Sequence, residues 1–302
     1  MTTTPAPYRI GIDLGGTKTE VVLLDPEGHP QLRERVATPR RETLEYEAIL
    51  KNTVRMAEHA LTQIPGHDAT IGICIPGIID AGTGRVINAN ITSLIEHPFQ
   101  QDITRQLGRT VAMENDADCF TLAESLKGAG RGFAMVFGVI LGTGVGGGLC
   151  FNGQLFRGRH GIAGEWGHMA VTPDGPPCYC GNRGCVETLI SGTGLAAAYQ
   201  RAHGQALSAE AIVAEARNGN PDCHRIFQSF LDAFGRCLGG IISLLDPDAI
   251  ILGGGLSNID ELYREGAALA RRYAFHPDPQ TPLLKNELGD SAGVYGAAWI
   301  GV

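Results

Sequence analysis

No stretch of the sequence gathers Lys and Arg into a stripe able to track a phosphate backbone. Twenty-four basic against 32 acidic residues leave a net charge of −8, so nucleic acid is not an expected partner. The opening MTTTPAPYR has neither a basic start nor an apolar core, which sets aside a signal peptide and makes a cytoplasmic protein the expectation. A membrane span is also missing. The nineteen residues Phe133–Phe151 carry no charge, but six of them are Gly. The run divides into two short β-type pieces about a glycine turn, so no membrane partner is expected. Cys-x-x-Cys at a helix start, the mark of a redox dithiol, does not occur either.

What is present is an ordinary globular composition, 43% hydrophobic and 19% charged over 302 residues, long for one core and comfortable for two. YRIGIDLGGTKTEVVLLDPEG alternates apolar residues on both sides of Gly15 and Gly16, predicting a strand, a glycine turn and a second strand. Apolar residues recur at helical spacing over 42–64 (Leu44, Ile49, Val54, Ala57, Leu61, Ile64), and ATIGICIPGIID returns to a buried strand ending at Pro76 and Gly77. MVFGVILGTGVGGGLCFNGQL repeats the strand, turn and strand of the opening. Two copies of that device, each heading an α/β region, predict a duplicated architecture whose halves face each other across a cleft. Later patterns predict helices in TGLAAAYQRAHG, in SAEAIVAEARNG with Ser208 as N-cap, and in DCHRIFQSFLDAFGRCLGGIISLL. A strand then delivers the glycines of ILGGGLSN to a helix start, and SAGVYGAAWIGV forms a last short helix.

The turn DLGGTKT leaves backbone N–H groups of Gly15 and Gly16 able to approach an anion, with Thr17 and Lys18 adding donors and charge. It is not a Walker A loop, because G-x-x-x-x-G-K-[ST] is absent and a strand follows it. Asp13 suits such a phosphate cradle if Mg²⁺ stands between. Gly142, Thr143 and Gly144 open a G-x-G-x-x-G match, yet the chain continues as a strand and not as the helix a dinucleotide fold requires. A second phosphate-facing hairpin fits better than an oxidoreductase. In ENDAD, Asn115 and Asp116 follow a strand and precede a helix. There Asp116 can accept the proton of a hydroxyl attacking a γ-phosphate while Asn115 orients it, leaving Asp118 as the expected cap.

His168, Cys178, Cys180 and Cys185 supply one imidazole and three thiolates, a donor set for tetrahedral Zn²⁺. Four protein ligands leave no position for a metal-bound water, so the zinc is structural. It clamps Glu165 and Glu187 into one small region, where carboxylates can accept hydrogen bonds from sugar hydroxyls. The second ring nitrogen of His168 is expected to face a substrate oxygen.

Together GIDLGGTKTE, END, LGTGVGGG, GEWGH, CYCGNRGCVE and ILGGGLSN resemble the ROK family of sugar kinases and sugar-responsive repressors, from about Tyr8 to Val302. The resemblance implies an α/β, two-domain actin-like ATPase (ribonuclease H-like) fold with an interdomain cleft. A small domain would occupy residues 1–117, with a C-terminal helix at about 291–302 packing back on it, and a large domain carrying the zinc site residues 118–290. It further implies a homodimer, ATP with Mg²⁺, and transfer of the γ-phosphoryl group to a sugar hydroxyl, usually at C6. Asp116 then matches the catalytic base. Gly77, Asn90, Asn115, Asp116, Glu165, His168 and Glu187 match sugar contacts. Asp13, Gly15, Gly16, Thr17, Lys18, Gly142, Thr143, Gly144, Gly254 and Gly255 match nucleotide contacts.

Within the family, NANITSLIEHPF and GGGLSNIDELY look most like the bacterial fructokinase (mannofructokinase) branch, making fructose, mannose or glucose the expected acceptor. The stretch GVILGTGVGGGLCFNGQ is also similar to bacterial N-acetylglucosamine kinases. N-acetyl-D-glucosamine is therefore the alternative, with Ile91, Leu94 or Ile95 as a niche for its methyl group. A specificity loop with Ile91, Ser93, Ile95, Glu96 and His97 departs from both branches. A sugar-binding repressor is the distant alternative, since it needs a helix-turn-helix module ahead of Tyr8, where only seven residues stand.

Overall fold

The computed structural model describes residues 7–40, 45–80 and 82–301. Apolar residues on both faces give β1 (Tyr8–Leu14) and β2 (Lys18–Leu24), while β3 (Pro30–Ala37) alternates half-buried and exposed positions. Then follow α1 (Glu45–Thr62), β4 (Ala69–Ile75), the short hairpin strands β5 (Ile78–Ile79) and β6 (Val86–Ile87), α2 (Phe99–Leu107), β7 (Ala112–Asn115) and α3 (Asp116–Lys127). Residues 42–44 of the predicted first helix, Leu44 included, lie outside the described residues. The second half provides β8 (Met135–Leu141), β9 (Val145–Phe151), β10 (Gln154–Leu155), α4 (Val186–Ile190), α5 (Gly192–His203), α6 (Ala209–Arg217), α7 (Pro221–Leu245), β11 (Ala249–Gly253), α8 (Ala267–Tyr273), β12 (Leu283–Lys285) and α9 (Ala292–Ile300).

Two five-stranded sheets repeat one plan. The first runs β3-β2-β1-β4-β7 and the second β10-β9-β8-β11-β12. In each, a tight antiparallel hairpin (β1–β2, β8–β9) is extended on its first strand by two parallel strands. The uncharged run Phe133–Phe151 folds as β8, turn and β9, and among the described residues no helix is long and apolar enough to cross a membrane.

The chain forms two compact units. One holds the described residues through Glu124 together with Leu155–Ala163 and the segment from Leu288 onward; the other holds Ser125–Gln154 and Gly164–Glu287. The division therefore falls within α3, beyond the predicted 117/118 boundary, and the segment 155–163 returns to the first unit. In the second unit α7 lays Phe227, Phe230, Phe234, Leu238 and Ile241 into the core. Asn220 caps this helix by accepting from the N–H groups of Asp222 and Cys223, with Pro221 as its first residue. Ser208 caps α6 as predicted.

In the first unit α1 covers one face of the sheet and α9 the other. The approach of α9 is unusually close. A Cβ placed on Gly72 of β4 would fall 1.9 Å from the Ala297 carbonyl oxygen, and one on Gly11 of β1 would fall 2.2 Å from that of Val294. Backbone fills this contact, so overpacking here has no flexible side chain to displace. Gly72→Ala is expected to lower the urea midpoint by the equivalent of about 1–3 kcal/mol. Gly240→Ala, at a position of α7 with open space beside it, is expected to be neutral or stabilising by up to about 1 kcal/mol. Equal midpoints for Gly72→Ala and the parent chain would contradict the close contact.

Candidate active site and metal centre

Because β1, β4 and β7 are parallel neighbours, their carboxyl ends align. Asp13 lies opposite Cys74, Cys74 opposite Glu114, and Ile75 opposite Asn115. Loss of solvation is the main cause that pushes the Asp13 pKa up to about 6; a hydrogen bond with Cys74 works against it, and the Asp116 and Glu20 carboxylates add to it. Asp116 follows directly on β7. Its side chain keeps contact with solvent, while desolvation by the surrounding protein raises its pKa. Its Oδ1 accepts from the Ala117 N–H at 2.9 Å.

The cap of α3 is Asn115, not Asp118. Asn115 Oδ1 accepts from the Asp118 N–H at 2.6 Å, whereas Asp118 lies buried in the first turn. α3 begins at Asp116, directly after β7, which is too early for a cap at Asp118 and puts the capping position at Asn115. Gly77 and Asn90 are brought together just beyond β4: the Asn90 N–H donates to the Pro76 carbonyl at 2.9 Å, and Gly77 lies against Ala89. The proposed methyl niche in this segment is corrected. Ile91 and Leu94 belong to the core of the first unit, in and beside a 3₁₀ turn at Thr92–Leu94, with Ile95 packed against that core, and His97 stacks on Tyr46 at 3.8 Å.

The hairpin at Gly15 and Gly16 is more occupied than its glycines imply. The Gly15 N–H is spent on the Lys18 carbonyl at 3.0 Å, so it is not available to an anion. Thr38 Oγ1 donates to the Gly15 carbonyl at 2.6 Å, and Arg40 donates Nε and Nη2 to that of Gly16 at 3.0 and 2.7 Å. Thr17 and Lys18 stay exposed. Arg40 therefore adds a cation to the turn. Nothing in its local sequence marks it, because the contact depends on β3 returning beside β2.

In the second unit the N–H groups at the start of α5 hold the other hairpin. Gly192 donates to the Gly142 carbonyl at 2.8 Å, and Thr193 Oγ1 to that of Thr143 at 2.7 Å. Within the turn the Gly142 N–H donates to the Gly144 carbonyl at 3.0 Å. Glu187 Oε2 accepts from the Val145 N–H at 2.9 Å, directly over Gly144. Gly254 and Gly255 follow β11, whose Gly253 pairs with Ile140 of β8, so they lie beside this hairpin. They lead into a 3₁₀ turn at Gly255–Asn258, after which a helical run starts at Asp260 and passes through a π turn at Leu262–Gly266 into α8.

Glu165 precedes a 3₁₀ turn at Trp166–His168, which is fixed by buried Trp166 donating Nε1–H to the Gly146 carbonyl at 3.1 Å. His168, Cys178, Cys180 and Cys185 bring one donor atom each within 4.8 Å of one another. His168 Nδ1 lies 3.5 Å from Cys178 Sγ, and Cys180 Sγ lies 3.7 Å from Cys185 Sγ. A tetrahedral ion with metal–sulfur bonds of about 2.3 Å requires sulfurs about 3.8 Å apart, whereas a disulfide requires about 2.05 Å. The donor set fits a metal. Gly184 makes the return to Cys185 feasible: its φ is +62°, and a Cβ there would meet the Thr172 carbonyl at 1.8 Å. His168 Nε2 lies 2.9 Å from the Tyr179 hydroxyl, which stands where a substrate oxygen is expected. Sequence reading passed over Tyr179, although its place inside Cys-x-Cys puts it beside the cluster.

The ROK family model matches residues 9–301. The chain belongs to the ROK family. It is 38% identical to an N-acetyl-D-glucosamine kinase of Pasteurella multocida, with 96% of this chain and 98% of that protein covered. It is 36% identical to an N-acetylgalactosamine kinase of a Shewanella species, with 96% of each covered. Among solved structures, a ROK glucokinase from Streptomyces griseus in complex with glucose and AMPPNP shares 33% identity and a TM-score of 0.76, with 97% of this chain and 99% of that one covered. The fold is the two-domain actin-like ATPase fold.

The four-donor cluster predicts one metal ion per chain that survives gel filtration. Structural metal sites of this kind contribute about 10 kcal/mol or more of apparent binding energy. Elemental analysis of Cys180→Ser is expected to find the ion lost, and fully active protein without metal would contradict the site.

Proposed function

We propose that this ROK sugar kinase transfers the γ-phosphoryl group of ATP to the C6 hydroxyl of an N-acetylhexosamine, with N-acetyl-D-glucosamine preferred. The observation that carries this reading is the set of relatives, 36–38% identical over nearly the whole chain, that act on N-acetylated hexosamines. The preference for fructose, mannose or glucose gives way to it. That ordering rested on the likeness of NANITSLIEHPF and GGGLSNIDELY to the fructokinase branch. Glucose stays as the second reading, on the strength of the Streptomyces griseus glucokinase solved with that sugar.

In this reading Asp116 takes the proton of the C6 hydroxyl as its oxygen bonds to the γ-phosphorus and ADP departs. Asn115, Gly77, Asn90, Glu165, His168 and Glu187 hold the sugar. The turns at Gly15–Lys18 and Gly142–Gly144, with Gly254 and Gly255, meet the nucleotide. Asp13 suits Mg²⁺: burial is the main cause of its raised pKa, the Asp116 and Glu20 carboxylates add to it against a hydrogen bond with Cys74 and the charge of Lys18, and a cation bound there would favour its charged form. Mg²⁺ bound there with the nucleotide would neutralise phosphate charge. The ion of the four-donor cluster is zinc, by its thiolate-rich ligand set, and its role is to fix the loop. Family resemblance supports action as a cytoplasmic homodimer.

A coupled ATPase assay with N-acetylglucosamine, N-acetylgalactosamine, glucose, mannose and fructose tests the acceptor. N-acetylglucosamine is expected to lead in kcat/KM by more than about tenfold, equivalent to roughly 1.4 kcal/mol in transition-state binding. A lead for glucose would overturn the reading. Asp116→Asn is expected to lose about 10²- to 10⁴-fold in kcat with sugar affinity broadly kept, and near-native turnover would remove the assignment.

A further inference from the structure

The loop that carries the cysteines also carries Tyr179, in a turn closed by the Gly181 N–H donating to the Cys178 carbonyl at 3.1 Å. Its backbone is thus fixed, while the residue is 74% exposed. Among the described residues its hydroxyl has one hydrogen-bond partner, His168 Nε2 at 2.9 Å, with the two rings edge to face at 4.9 Å. We propose that Tyr179 is a latch on the sugar site: without sugar its hydroxyl occupies the N–H of His168, and a sugar hydroxyl displaces it on binding. The proposal rests on the reading that His168 holds the sugar and deepens it, whichever hexose is preferred.

The tautomer of His168 decides which partner donates. Nδ1 faces the cluster, 3.5 Å from Cys178 Sγ, and a metal bound there leaves the ring proton on Nε2. Nε2–H then donates and the Tyr179 oxygen accepts. One N–H directs one well-aligned hydrogen bond, so the Tyr179 oxygen and a sugar hydroxyl oxygen compete for a single position. The other groups of this unit assigned to the sugar stand within electrostatic reach of the same hydroxyl. Desolvation is the main cause that pushes the Tyr179 pKa up to about 12, and the Glu187 and Glu165 carboxylates are among the charges that add to it. Opening the latch gives up one hydrogen bond, and water can take over the exposed hydroxyl. The closed form therefore lowers the apparent sugar affinity by a small factor, the reciprocal of the open fraction.

Calorimetric titration of the metal-loaded protein with N-acetylglucosamine and with glucose, in the absence of nucleotide, tests the latch. Tyr179→Phe keeps the ring and removes the hydroxyl. It is expected to bind each sugar that wild type binds about 3- to 10-fold more tightly, the range that one hydrogen bond of ordinary net strength spans. KM for the sugar is expected to fall by the same factor with kcat unchanged. Unchanged or weaker binding with the metal retained would overturn the latch. Loss of the metal from Tyr179→Phe, read by elemental analysis, would overturn it too, because a partner that only orients a ligating imidazole shows itself as a fall of about 10- to 100-fold in metal affinity. Glu165→Gln separates the latch from the reading beneath it. Weaker sugar binding by Glu165→Gln beside unchanged binding by Tyr179→Phe removes the latch alone. Unchanged binding by both variants, or no binding of either sugar by wild type, removes the sugar from these residues and the latch with it.

Discussion

One carboxylate oxygen holds the second unit's candidate site together. Glu187 Oε2 takes the N–H of Val145, the first residue of β9, at 2.9 Å. A charged acceptor of this kind contributes about 1.5–3 kcal/mol, but its position matters more than its strength. Cys185 is at once a member of the four-donor cluster and the residue before α4, so whatever holds the sulfurs also holds the first turn of α4 and Glu187 with it. α5 begins directly after α4, and its first residues hold the carbonyls of Gly142 and Thr143. Metal loop, helix starts and glycine hairpin thus form one bonded series. A disturbance at any member is passed to the turn that the sequence assigns to phosphate.

The two hairpins share a plan and differ in support. In the first unit, side chains hold the turn: Thr38 and Arg40 satisfy the carbonyls of Gly15 and Gly16. In the second, a helix start does so mainly through backbone N–H groups. The two turns can change independently, because a substitution at Arg40 affects one of them alone.

Much of this was legible in the sequence because the signals were local. Both glycine hairpins, the caps of α6 and the body of α7, and the four-donor cluster follow from period, turn chemistry and ligand spacing. What escaped depended on where a chain segment returns. Asn115 and Asp118 are both competent caps, and only the exact end of β7 decides between them. Ile91 and Leu94 read equally well as niche or core until the 3₁₀ turn at Thr92–Leu94 points them inward. The Gly15 N–H looks available until the turn closes on Lys18. Arg157 carried no local signal, since its ion-pair partner Glu114 on β7 is set by folding and not by spacing, whereas Tyr179 stood inside Cys-x-Cys beside its partner His168.

The close seat of α9 on β1 and β4 also constrains the order in which the protein is built. β1 is the first described strand to leave the ribosome, and α9 is the last described helix, made after every residue of the second unit. Gly11 and Gly72 must wait, with their backbone uncovered on one side, through the synthesis of more than two hundred residues. The second unit has its whole chain available earlier, so vectorial synthesis favours its core condensing first. The first sheet then closes last, around a helix that the nascent chain cannot supply until the other half is already in place.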